Sequence, residues 1–255
     1  MGSPRRFTDG VTNVSSSNPL GNLPYLDPTK WIVYHEDFCA GFLGANSVNN
    51  GAATAFGVSC TASANGTVSV TTDATDAPLG CLKIVTTAAD NEYGWLQSLS
   101  PGFAMKSGKK AIFETRFEIT HTAGNIEQNE LFIGLASYSA TVNAAVAADG
   151  SAMAADDAIG FYSPDADANI NFVIRENDVA DSQIIKSTYA TATWYIMTAY
   201  YYGTNVYLYV DNVEAGILNP DQIPVSVVGP MIYFKSGEAK VHQLLIDYIF
   251  CAFER

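Results

Sequence analysis

From Trp31 onward the chain is a succession of short runs rich in Val, Ile, Tyr, Phe and Thr, each closed by Gly, Pro, Asn or Asp. That rhythm leaves few folds open, because strands need β-branched and aromatic residues between turn formers, whereas an amphipathic helix needs apolar residues three and four apart over at least ~10 positions. The clearest strand candidates are 81–87, 93–99, 111–120, 131–137, 158–163, 170–175, 193–202, 206–211, 225–234 and 243–251. Ten such runs without a convincing amphipathic helix predict an all-β chain, a two-sheet antiparallel sandwich. At 255 residues, 48% apolar and 12% aromatic, there is material for one large core, and a single sandwich domain over 31–255 is expected.

Strand 111–120 alternates cleanly, with Ala111, Phe113, Thr115, Phe117 and Ile119 on one side and Ile112, Glu114, Arg116 and Glu118 on the other. The stretch 193–211 differs: Gly203, Thr204 and Asn205 join two runs that are apolar or aromatic on both faces. Such a pair sits centrally in a sheet covered on both sides, or presents tyrosines for recognition. Tyr207 and Tyr209 share a face opposite Val206, Leu208 and Val210. They suit a sugar ring, a protein partner or the core, and the core is the commonest use of such aromatics.

Residues 1–30 read differently. Pro4, Pro19, Pro24 and Pro28 remove amide donors from a stretch that also holds Gly10, Gly21 and the run Ser15 to Asn18, so neither a continuous helix nor a central strand can form. An extended N-terminal arm is expected, with Phe7, Val11, Val14, Leu20, Leu23 and Tyr25 spaced as anchors along a partner surface. Two further stretches interrupt the strands: Gly41 to Gly66, of low complexity, and the Ala-rich Ser139 to Asp157, which has room for a short helix. Both read as long loops of the kind that carry interactions.

A formal net charge of −13 repels phosphate backbones, so nucleic acid is not an expected partner. No apolar run reaches the ~18 residues of a membrane span, and no apolar segment follows the N-terminal arginines, so a chain that is cytosolic when made is expected. Cys39, Cys60, Cys81 and Cys251 are far apart and His35, His121 and His242 dispersed, a spacing that fits buried thiols rather than zinc ligands. Asp165, Asp167 and Asn169 alternate as in a calcium loop, but without that loop's glycine and distant glutamate a β-turn is expected. Glu114 and Glu118, four residues apart at ~3.3 Å per residue, stand about 13 Å apart, too far for a glycosidase pair at ~5–9.5 Å. With Arg116 between them they read as a solvent-facing ion-pair row. No nucleophile elbow or phosphate-cradling loop is present. No enzymatic activity, cofactor or metal is expected.

The leader "RFTDGVTNV…NPLGNLPYLDPTKW" with "EDF", then "KKAIFETRFEI", "LFIGLAS", "DAIGFYS", "TWYIMTAYYYGTNVYLYVDN" and "LLIDYIFCAFER", resembles a group of tailed-phage structural proteins. In these a concanavalin A-like (laminin-G-like) jelly roll decorates or cements the capsid exterior. The resemblance implies a non-enzymatic virion protein on the capsid exterior. It would bind the major capsid protein as a homo-oligomer, a dimer or trimer at a local symmetry axis, with the arm clamping neighbouring subunits. The glucanase branch of the fold carries Glu-x-Asp-x-x-Glu on one strand; the nearest stretch here, Glu176 to Asp181, ends in Asp and reads as a polar turn. The alternative is a carbohydrate-binding or host-receptor-binding module on a virion, because the lectin branch binds sugar through long loops.

Overall fold

The computed structural model describes residues 29–38, 47–55, 58–71, 80–98, 102–121, 125, 127–137, 157–177 and 179–255, with 47–55 and 58–71 described by their backbone. The arm anchors Phe7, Val11, Val14, Leu20, Leu23 and Tyr25, and the Ala-rich stretch up to residue 156, lie outside these residues.

The described residues form strands and no helix. In chain order these are β1 (Trp31–Glu36), β2 (Ser47–Ala55), β3 (Val58–Thr71), β4 (Cys81–Val85), β5 (Tyr93–Ser98), β6 (Lys110–His121), β7 (Asn129–Ala136) and β8 (Ala158–Ser163). They continue with β9 (Ile170–Glu176), β10 (Val179–Lys186), β11 (Trp194–Tyr202), β12 (Val206–Val210), β13 (Val213–Leu218), β14 (Gly229–Ser236) and β15 (His242–Glu254). All pairings are antiparallel.

Two layers emerge from the order. The front layer runs β10-β9-β8-β7-β14-β5, and the back layer runs β13-β12-β11-β6-β15, with β4 and then β1 end to end along the far edge of β15. A single strand joins them: β3 pairs with β5 through Val58 to Ala62 and with β4 through Thr67 to Thr71. A long strand that switches sheets in this way closes one corner of a sandwich without an exposed edge.

Apolar alternation holds the layers together. Phe113, Phe117 and Ile119 from β6, Met197 and Ala199 from β11, and Val206 and Leu208 from β12 face Leu131, Ile133, Ile159, Phe161, Phe172, Ile232 and Phe234 of the front layer in one buried cluster. The ring centroids of Phe113 and Phe161 stand 5.8 Å apart, and those of Phe161 and Phe172 5.9 Å. Cys81 and Cys251 are buried free thiols, and burial holds the Cys251 thiol well above its usual range.

Each of the ten expected runs holds a strand, the run 225–234 only from Gly229 onward, but three further features differ from expectation. The segment Gly41 to Gly66 is not a long loop: it holds β2 and the start of β3, which pair with each other. Its many Gly, Ala and Asn residues disfavour a strand on their own, and pairing overrides that. The polar stretch Glu176 to Asp181 is only partly a turn, because Val179 opens β10. The strand β13 lies outside the ten expected runs, although Asp211 and Asn212 at φ of 51° and 64° make the two-residue turn that a tight hairpin requires.

Gly134 and Gly160 face each other across β7 and β8. A methyl group on Gly134 would overlap the Ile159 carbonyl oxygen and lie 2.7 Å from the Gly160 Cα. Gly134→Ala should therefore cost at least ~1–3 kcal/mol of stability, seen as a lower urea midpoint with an unchanged slope; an unaltered midpoint would contradict this packing.

Candidate functional site

Three places have the residues a ligand would want, and burial separates them. The first is the outer face of the back layer, where the sequence put Tyr207 and Tyr209. Both lie there, with Trp31, Ile112, Tyr200, Tyr248, Phe250 and Ala252, while Val206 and Leu208 point into the core. Tyr209 is fully buried and Tyr207 half-buried. Desolvation drives the Tyr200 hydroxyl well above its usual range. Tyr202 is exposed, but the Lys110 ammonium stands 4.6 Å from its ring centre.

The polar residues of that face are not a solvent-facing row. Glu114 is fully buried: the Tyr248 hydroxyl donates to its Oε1 at 2.7 Å and the Thr198 hydroxyl to its Oε2 at 2.8 Å. Glu118 is buried too. Arg116 lies over the Trp194 ring at 4.4 Å and donates to Asp247 at 2.7 Å, beside a register shift between Ile246 and Tyr248. The alternation placed these residues on one face correctly, but alternation alone carries no sign of whether that face meets water.

The outer face of the front layer is the second place. Trp95, Phe132, Val173, Met231 and Tyr233 form a buried cluster there, with Tyr93 stacked on Tyr233 at 6.4 Å. Lys235 donates to Glu130 at 2.5 Å, both side chains being buried, and Tyr233 hydrogen-bonds the same carboxylate. Every residue of β7 and β14 is buried. An antiparallel sheet usually keeps one face wet, so a front layer dry on both sides in its central strands is no platform for a ligand.

The third place is open. At one end of the sandwich a groove of about 390 Å³ is lined by Ser107, Glu176, Tyr201, Gly203, Thr204, Asn219, Pro220, Asp221, Gln222, Ile223 and Val225. Its floor is rigid. Gly203, at φ 90°, turns β11 into β12; its carbonyl accepts from the Tyr201 hydroxyl at 2.6 Å and from the Gly108 amide at 3.1 Å. Its wall is pinned: the Asp221 amide donates to Asp181 Oδ2 at 2.8 Å, the Met105 amide to the Pro224 carbonyl at 3.2 Å, and Phe103 and Val228 exchange amide bonds at 3.0 and 2.7 Å. Thr204, Asn219, Asp221 and Gln222 are exposed on the rim, and Ile223 and Val225 supply an apolar side. A volume near the lower end of the ~300–1,000 Å³ typical of ligand sites, with apolar surface and a few converging polar groups, suits a small polar molecule.

The Asp165 turn is fully engaged. Asp167 Oδ1 accepts from the Asn169 amide at 2.9 Å and its side-chain nitrogen at 2.7 Å, and Oδ2 accepts from Asn171 at 3.1 Å. Nearby His242 is fully buried, with Nε2 3.2 Å from Glu238 and no hydrogen-bond partner for Nδ1. Burial lowers its pKa, and Glu238 only partly offsets that effect. Among the described residues no three His, Cys, Asp or Glu side chains gather as a metal set.

Two stacked antiparallel layers in this order define a lectin-like jelly-roll sandwich. A Shewanella oneidensis MR-1 protein of unknown function superposes with a TM-score of 0.56, covering 94% of this chain and 95% of its own, at 16% identity. The carbohydrate recognition domain of Emp47p gives 0.53 at 10% identity, covering 89% and 98% of the two chains. Peanut lectin gives 0.53 at 11%, covering 88% and 97%. At these identities the likeness is one of fold. No family model and no curated protein matches the sequence.

Two outcomes follow from the buried polar groups. Tyr248→Phe removes a hydrogen bond to a buried carboxylate and should lower stability by about 1.5–3 kcal/mol, measured by urea unfolding; a change under a few tenths would contradict the buried assignment. Because the folded state disfavours the protonated His242, the unfolded chain binds that proton more readily, and stability should fall as pH drops below about 6.5. His242→Gln should flatten the urea midpoint between neutral and mildly acidic pH, and an unchanged profile would contradict this.

Proposed function

We propose that the protein is a carbohydrate-binding domain that holds a short stretch of sugar in the end groove. The observation that carries this reading is the groove itself: a pinned, open site whose rim offers hydroxyls, side-chain amides and carboxylates beside an apolar strip of Ile223 and Val225. Sugars present hydroxyls that both donate and accept, and C–H faces that prefer apolar contact. Asn219 and Gln222 each bring a carbonyl and an NH₂, and Asp221 and Glu176 accept only.

The reading agrees in kind with the sandwich's lectin neighbours and is one of binding rather than turnover. Attachment to a capsid exterior as a homo-oligomer, the other expectation from sequence, concerns an arm outside the described residues and is an added role such a domain could serve.

A glycan array followed by titration calorimetry with the full chain tests the proposal. Asn219→Ala and Gln222→Ala should each weaken the best ligand by about two- to tenfold, the worth of one hydrogen bond of ~0.5–1.5 kcal/mol, without lowering the melting temperature. No retained glycan, unchanged affinity in both variants, or release of shorter oligosaccharides from the ligand would contradict it.

A further inference from the structure

We infer that the groove sorts sugars by charge, taking an ammonium-bearing sugar such as a glucosamine oligomer in preference to a neutral one and turning uronic acids away. The inference rests on the carbohydrate reading and adds the class of sugar to it.

The cavity supplies the site, and its lining supplies the selectivity. Among the described lining residues Glu176 and Asp221 carry the ionisable carboxylates, and no Lys, Arg or His stands with them. The Tyr201 hydroxyl is committed to the Gly203 carbonyl, and desolvation raises its pKa. A third carboxylate sits directly behind the wall, since Asp181 Oδ2 accepts the Asp221 amide at 2.8 Å. Three cations elsewhere in the described chain are each held by a partner. Lys235 is held by Glu130, Arg116 by Asp247 and Trp194, and Lys110 by the Tyr202 ring. Lys106 and Lys109 share a turn with Ser107 but are not among the lining residues.

A sugar amine is well matched to such a site. An ammonium brings three donors and no acceptor, and it meets two acceptor-only carboxylates together with the amide oxygens of Asn219 and Gln222. Glu176 is half-buried, so the charge it presents is less screened than that of Asp221 on the exposed rim. A neutral sugar can still use both carboxylates as hydroxyl acceptors, so it should bind, only less well. A uronic acid would bring its own carboxylate into a groove whose described lining holds no cation, in a chain of net charge −13.

Titration calorimetry of the full chain with three probes decides the matter: a glucosamine tetramer, its fully N-acetylated counterpart and a galacturonic acid tetramer. The glucosamine tetramer should bind about fivefold more tightly than the acetylated one at low salt, and added salt should erode that margin. Glu176→Gln combined with Asp221→Asn should bring the glucosamine and acetylated tetramers to equal affinity; Asp221→Asn alone, on the exposed rim, should halve the preference or better. Equal binding of the first two probes by the unaltered chain, or tighter binding of the galacturonate, overturns charge selection and leaves the carbohydrate reading standing. Failure of all three probes to bind, together with a blank glycan array, removes both.

Discussion

The aromatic seam between the layers is the contact on which the other features depend. Phe113 enters from β6, Phe161 from β8 and Phe172 from β9, with ring centroids under 6 Å apart in each successive pair. Because successive side chains of a strand point to opposite faces, fixing these rings inward fixes every neighbour outward. Burying Phe113 thus puts Glu114 on the outer face, and burying Leu208 puts Tyr207 and Tyr209 there. A register slip of one residue would exchange the two sets, so the seam sets the chemistry of both outer faces as well as the core.

What lies on those outer faces is less usual. The back face carries a buried carboxylate bonded to Tyr248 and Thr198, and the front face carries a buried Lys235–Glu130 pair. Removing one partner of such a pair strands the other charge away from water, which costs far more than the intact pair contributes. These groups specify register and cannot be altered singly without loss. Open volume lies instead at the end of the sandwich, where the Gly203 turn, the 106–109 turn and the 219–228 loop meet.

The strands were legible because each pairs a strong local preference with turn residues at its ends; Phe113 to Ile119 and Val206 to Val210 reveal both strand and face. Legibility failed where preference is weak and tertiary pairing decides, as in β2 and the start of β3. It failed again at β13, whose signal was the Asp211–Asn212 turn rather than the polar strand behind it. The face of Tyr207 and Tyr209 followed from alternation, but its burial did not, since burial depends on neighbours far away in sequence such as Trp31 and Phe250. The groove was not legible at all: its lining comes from separated turns, around residues 107, 176, 203 and 219–225, and no single stretch carries its pattern.

The central claim is that the aromatic faces are closed and the end groove is open. Hydroxyl-radical footprinting of the native full chain, read by mass spectrometry, measures this directly and needs no ligand. Trp95, Tyr200, Tyr209 and Tyr233 should be protected to the level of Phe113, while Tyr202, Val225 and Val227 oxidise readily, in keeping with exposures of 47%, 60% and 54% for these last three. Ready oxidation of Trp95 and Tyr233 in the folded protein would contradict the account, because the front face would then be the open platform and the groove would lose its claim.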